Sequence, residues 1–234
     1  MHLWQQISHF KWWQTKSTIK SPSPLSDTGL KMITQFPIDY MHMTCLGVVE
    51  RMLLIWMKGS LNNRLNSRTI QQIFSDLVHW RPFIPSEFAR KPRSLFEIDR
   101  WKATEFWQFV LYTGPVILEH HIHKNLCKNV LLFSVSLHVL LNSFLVEAYN
   151  GYANELLAAF IEHFGQIYGG DSLVYNVHGL AADGKQYGTL DNISSFPFEN
   201  YLKKIEENGQ KTFFLVAPSK SSMIGKKKRK SGIW

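Results

Sequence analysis

The sequence predicts a mainly α-helical protein, and three features carry that reading. Apolar residues recur at helical spacing in Ile70, Ile73, Phe74, Leu77 and Val78, and again in Leu156, Leu157, Phe160, Ile161 and Phe164. Two further stretches, Leu46 to Met57 and Val130 to Tyr149, are almost continuously apolar. Stop signals follow where helices should end, at Gly59-Ser60 and Gly169-Gly170.

Taken in order, Lys16 to Asp27 is rich in Ser, Thr and Pro and reads as a linker. The segment before it carries Trp4, Phe10, Trp12 and Trp13, many aromatics for a free tail, so a remnant of an upstream domain and an irregular tail are both open. Leu46 to Met57 predicts a largely buried helix. Ser67 is the expected cap of the next helix, and Pro82 and Pro85 then break the chain. Trp101 to Leu111 favours helix with Phe106, Phe109 and Val110 on one side, and Gly114-Pro115 is expected to bend it. In Val130 to Tyr149, the polar residues Ser134, Ser136, His138, Asn142, Ser143 and Glu147 fall too often for a lipid-facing span. A buried helix is the expectation there, followed by an amphipathic one over Tyr152 to Tyr168. The expected organisation is an irregular segment over 1–28, a helical domain over 29–208 and a disordered basic tail over 209–234.

Composition narrows the function classes. With 234 residues and 45% hydrophobic content, the chain can build a real core and is not a disordered sequence. Cys45 and Cys127 are too few for a disulfide framework, and no Cys-x-x-Cys pair is present to hold zinc. Met1 to Ile7 lacks the basic and apolar regions of a secretory signal, so a soluble intracellular protein is expected. The net charge of +8 is concentrated at one end. Lys220, Lys226, Lys227, Lys228, Arg229 and Lys230 supply six positive charges without an acidic neighbour, which leaves about +2 for the rest. Lys226 to Lys230 reads as a nuclear address or a loose phosphate contact, set against the plainer reading of a solvated tail.

Several residue groups carry chemistry. Asp39 and His42 lie three apart, so a helical turn would let the carboxylate orient a neutral imidazole; a buried hydrogen bond and a metal site are both open. Glu119-His-His-Ile-His123 puts His120 and His123 at helical spacing, but two imidazoles without a third ligand favour a solvated helix end over zinc. Arg90, Lys91, Arg93, Arg100 and Lys102 surround Trp101. Cations neutralise phosphates and an exposed aromatic stacks on unpaired bases, so this is the best folded candidate for a DNA surface. The alternative is an ordinary charged surface with Trp101 in the core. Gly165-Gln-Ile-Tyr-Gly-Gly170 lacks the Lys-Ser/Thr of a phosphate-binding loop.

Four stretches in order carry a resemblance. They are Phe36-Pro-Ile-Asp39-Tyr-Met-His42 continuing to Arg51; Arg90-Lys-Pro-Arg-Ser-Leu-Phe-Glu97 with Arg100-Trp-Lys-Ala-Thr-Glu-Phe106; Leu111-Tyr-Thr-Gly-Pro115; and Tyr175-Asn-Val-His178-Gly179 leading through Gly188-Thr-Leu-Asp-Asn192 to Phe196-Pro-Phe-Glu199-Asn200. From about Met32 to about Lys204 the chain resembles eukaryotic transposases of the CACTA-related (EnSpm-like) group, including transposase-domain proteins of animal genomes. The resemblance implies a helical insertion domain plus the C-terminal remnant of an RNase H-like core. In that core two Asp and one Glu hold two divalent ions, Mg²⁺ or Mn²⁺, for in-line attack on phosphodiesters. Glu199 stands at the third carboxylate, a catalytic metal ligand, while Asp39 and His42 fall at an Asp-x-x-His motif that follows the second catalytic Asp. Transposon-end DNA and a second copy of the chain are the implied partners, and the nucleus the implied location.

Two departures qualify that picture. Relatives carry another His a few residues after His178, where this chain reads Gly179-Leu-Ala-Ala-Asp-Gly184. The two catalytic Asp would lie upstream of the matching region, so the chain is expected to be catalytically incomplete alone. Two main function classes follow: a transposase-derived fragment, or a non-catalytic nuclear module that binds DNA or protein through Arg90 to Lys102 and the basic tail. A translated pseudogene fragment is a third.

Overall fold

A computed structural model describes residues 29, 36–169, 177, 179–202 and 204–206, and among these the backbone is mainly helical with no strand. The chain divides into two compact units, Met1–Ser195 and Phe196–Trp234. In the first unit, helix α1 is π-helical over Met41–Val49 and α-helical over Glu50–Lys58. Its π-helical half is buried on nearly all sides, through Met41, Met43, Thr44, Cys45, Gly47, Val48 and Val49. That is the pattern expected of a helix without a polar face. Gly59 donates its N–H to the Ile55 carbonyl at 2.9 Å and ends the helix in extended backbone, as the Gly-Ser signal predicts.

Helix α2 (Ser67–Trp80) buries Ile70, Ile73 and Leu77. Its cap is Asn66 rather than Ser67, because the Asn66 side chain accepts from Thr69 N–H at 2.8 Å. Two 3₁₀ turns follow, Arg81–Phe83 and Leu95–Arg100. Helix α3 runs as α over Ala103–Gln108, π over Phe109–Thr113 and α again over Gly114–Glu119. Pro115 has no N–H to give, and the widened π turn lets the helix pass it without breaking. Gly114 is required there, since a Cβ would sit 2.6 Å from the Phe109 carbonyl oxygen.

Helices α4 (Lys124–Leu141) and α5 (Ser143–Tyr168) form an antiparallel hairpin with a single residue between them. This corrects the continuous helix expected over Val130 to Tyr149. Asn142 takes extended backbone, and its side-chain oxygen accepts from Phe144 N–H at 2.9 Å and Leu145 N–H at 3.1 Å. The cap satisfies two N–H groups that a new helix leaves without partners, so the chain reverses here. Inside the hairpin, Phe133 stacks on Phe160 at 4.4 Å, and Phe160 to Phe164 to Tyr168 continue the line at 5.5 and 4.4 Å. Asn129 donates to the Phe160 carbonyl at 3.0 Å, and Trp56 of α1 donates to the Tyr168 hydroxyl at 2.7 Å. Gly169, at φ 93°, closes α5 in a backbone conformation that other residues rarely adopt. Helix α6 (Gly179–Tyr187) packs on the hairpin, with Asn150 donating to the Ala181 carbonyl at 2.8 Å, and a last 3₁₀ turn spans Leu190–Ile193. In the second unit residues 196–202 are helical and form α7.

No helix among the described residues is long and apolar enough to cross a membrane. Phe160 is fully buried at the centre of the aromatic line. Phe160→Ala should therefore cost about 3–5 kcal/mol, read as a lower urea midpoint at constant slope.

Candidate nucleic-acid interface

The basic segment between Arg90 and Lys102 is held by one carboxylate. Glu105 lies in the first turn of α3 with its side chain only 2% exposed. Arg93 Nε and Nη2 each donate to it at 2.6 Å, and Lys102 N–H donates to it at 2.8 Å as the helix starts. Arg93 Nη2 also donates to the Arg100 carbonyl at 2.5 Å, so one guanidinium joins the two ends of the segment. Charged pairs of this forked geometry are both the stronger and the more directional kind. Leu95 and Ile98 turn into the core between those ends.

This arrangement sorts the five cations. Arg93 is committed to Glu105. Lys91 directs its ammonium to the carbonyls of Ile84 and Pro85. Arg90, Arg100 and Lys102 are exposed, and among the described residues their side chains make no ion pair. The acidic groups nearby are largely occupied: Asp99 pairs with Lys58 at 2.8 Å, and Glu97 lies 4.0 Å from Arg93. Glu87 is exposed. Trp101 takes the core placement. It is 6% exposed, donates its indole N–H to the Ser94 carbonyl at 3.0 Å and meets Phe106 and Phe109. Its ring offers no face to a base.

Asp39 and His42 meet on the first turn of α1. The carboxylate accepts from the His42 ring at Nδ1, from the backbone N–H of Met41 at 3.2 Å and of His42 at 3.3 Å, and from Ser195 N–H at 2.8 Å. One residue earlier, Ile38 N–H donates to Asp183 at 3.0 Å. Two carboxylates thus stitch the segment before α1 to the region from α6 to Ser195. Asp183 belongs to the stretch where the chain departs from the resemblance, and it is structural. Burial alone would raise the Asp39 carboxyl, but hydrogen bonds from His42 and Ser195 outweigh it and hold the group below the ordinary value of 3.8.

Glu199 lies exposed on α7. His178 and Lys226, Lys227, Lys228, Arg229 and Lys230 fall outside the described residues. His120 is exposed at the end of α3, while His123 begins α4 and accepts from Asn125 N–H at 3.3 Å. Between them His121 pairs with Asp76 of α2 at 2.7 Å. Among the described residues no three His, Cys, Asp or Glu side chains gather to hold a metal ion. The Mg²⁺ or Mn²⁺ implied by the resemblance therefore finds no ligand set there, and no step is assigned to it.

No family model, curated protein or solved structure matches this chain.

Sequence reasoning missed Glu105, the organising carboxylate. A spacing signal was present, since a Glu three residues after the residue that precedes a helix is the second half of a capping box. It also missed the aromatic rings Phe88, Trp107 and Tyr112, which contact one another on the surface.

Two outcomes follow. Arg93→Ala leaves a buried carboxylate without its main partner and should cost about 3–5 kcal/mol in urea unfolding, and Arg93→Lys should recover only part of it because an ammonium cannot fork. A carboxyl held below its unfolded value contributes stability above the unfolded pKa and loses it as pH falls through the folded value. Asp39 therefore contributes at neutral pH, and its share vanishes as pH drops below 3.8. Asp39→Asn should lower the melting temperature at pH 7 and shrink the gap to wild type in strong acid.

Proposed function

We propose that this chain is a DNA-binding module of transposase descent that contacts the phosphate backbone through Arg90, Arg100 and Lys102. One observation carries the proposal: among the described residues, three exposed cations without ion-pair partners lie along the segment that Arg93 ties to Arg100 and to Glu105 at the start of α3. Cations that neutralise phosphates release condensed counterions, which supplies affinity without reading sequence. The ordered resemblance to CACTA-related transposases supports the descent. In that reading the helical body corresponds to the insertion domain, and α7 carries the ancestral carboxylate position, Glu199, at the remnant of an RNase H-like core. The nuclear address, Lys226 to Lys230, adds a second basic element and places the module where DNA is.

The division of labour among the cations makes the proposal specific. Arg93 is spent on structure and Lys91 on backbone carbonyls, so neither counts as a phosphate contact. Binding of a fluorescent duplex, followed by anisotropy at several salt concentrations, tests this. Replacing Arg90, Arg100 and Lys102 together by Ala should reduce the slope of log affinity against log salt by up to about 2.7, at about 0.9 per lost contact. The comparison is made with Lys226 to Lys230 changed to Gln in both proteins, so the tail cannot supply the slope. An unchanged slope would refute the assignment.

A further inference from the structure

Three aromatic side chains form a surface cluster beside the basic segment. Phe88 lies 5.9 Å from Trp107 and 5.3 Å from Tyr112, and Trp107 lies 5.5 Å from Tyr112, measured between ring centroids. Tyr112 is 45% exposed, and Phe88 and Trp107 are half-buried. His138 of α4 meets the far edge of Tyr112 at 5.8 Å. Aromatic side chains gain most by leaving water, so a cluster kept at the surface points to something that covers it.

The backbone beneath the cluster is unusual in the same place. At 3.6 residues per turn, positions five apart on an α-helix point about 140° away from each other. Trp107 and Tyr112 are five apart, yet their rings touch. The π-helical stretch Phe109–Thr113 rewinds that interval and brings both rings to one face. Such widened turns are rare and concentrate at functional sites. The same turn carries the helix past Pro115, so a single backbone device serves both ends.

Charge decides the occupant. Arg90 is two residues from Phe88, exposed and without an ion pair among the described residues, and Lys91 follows it with its ammonium held by the Ile84 and Pro85 carbonyls. Glu87 is the exposed acidic residue on the other side of Phe88. A cation beside an aromatic cluster with one exposed ring, Tyr112, and two half-buried ones, Phe88 and Trp107, fits single-strand binding, in which the backbone follows the positive groups and bases stack on the aromatics. A duplex hides its base faces, so only unpaired nucleotides can use the rings.

Resting on the DNA-binding reading above, we infer that Phe88, Trp107 and Tyr112 form a stacking platform for unpaired bases, with Arg90 holding the adjoining phosphate. The module then takes DNA that carries an unpaired segment, such as a frayed end or a single-stranded overhang. Trp101, for which the sequence left both a stacking role and a core placement open, takes the core, and these three rings lie just outside the basic cluster.

Binding of a single-stranded oligonucleotide containing 2-aminopurine tests the inference, since stacking quenches the fluorescent base. The wild-type chain should quench it and bind an overhang better than a closed hairpin of the same length. Tyr112→Ala and, separately, Phe88→Ala should weaken single-strand binding about tenfold and leave hairpin affinity unchanged. Circular dichroism confirms that each variant remains helical. Quenching and affinity unchanged in both variants, with salt-sensitive hairpin binding retained, would overturn the platform and leave the phosphate surface standing. Failure of the wild type to bind any of these nucleic acids would overturn both. A wild-type dimer in sedimentation that Tyr112→Ala dissociates would make the cluster a protein interface and also overturn the platform.

Discussion

A single buried carboxylate governs the surface on which function is proposed. Glu105 loses nearly all its contact with water, and an unpaired charge in that position would cost several kcal/mol. Arg93 removes that cost, and in doing so it fixes where residues 90 to 102 run and where α3 begins. Yet the ion pair cannot order the segment by itself. Fixing each backbone residue costs about 1–2 kcal/mol, so a dozen residues need far more than one pair provides. Burial of Leu95, Ile98 and Trp101, at about 1.5–3 kcal/mol per large apolar side chain, supplies a further part of it. Trp101 thus serves the candidate surface from beneath, by anchoring the loop that displays Arg100 and Lys102.

Asp39 uses the same chemistry in a wetter setting. Its bond to Ser195 spans 156 residues, and the neighbouring Ile38–Asp183 bond spans 145. Loop-closure entropy grows only with the logarithm of chain length, so the two bonds add little closure cost once the hairpin and α6 have packed. They act as latches on a fold whose core is made elsewhere. The core itself is the aromatic line through Phe133, Phe160, Phe164 and Tyr168, tied to α1 by Trp56. Asp39 and His42 are thereby accounted for as a helix start, whatever their ancestry.

Much of the helical body was legible in the sequence, because period 3.6 and the Gly59 and Gly169 stops are local signals. The break at Asn142 was not. Hydropathy there runs on without interruption, and a capping Asn counts in the pattern as one more polar residue until its bonds to Phe144 and Leu145 are seen. The displacement of the cap from Ser67 to Asn66 has the same origin, since both residue types cap well and only the backbone selects one. At the candidate site, spacing singled out the basic residues as a group but could not rank its members. Arg90 and Arg93 are the same residue type three positions apart, and what separates them is Glu105, twelve residues further on from Arg93.

That separation bears on how such a surface binds. A cation that must be immobilised on binding loses side-chain freedom worth about 0.5–1.5 kcal/mol, and a mobile backbone beneath it adds to the loss. By spending Arg93 on Glu105, the fold orders the backbone under Arg100 and Lys102 before any ligand arrives. The helix that Glu105 starts also carries the π turn that sets Trp107 beside Tyr112. Trp107 and Tyr112 stand on α3 itself, while Arg100 and Lys102 lie on the segment that Arg93 and Glu105 tie to the start of that helix, so these groups are ordered by contacts already made in the fold. In the proposed reading, a polyanion with exposed bases would meet cations and rings in a prepared arrangement, which is the condition under which modest individual contacts add to useful affinity.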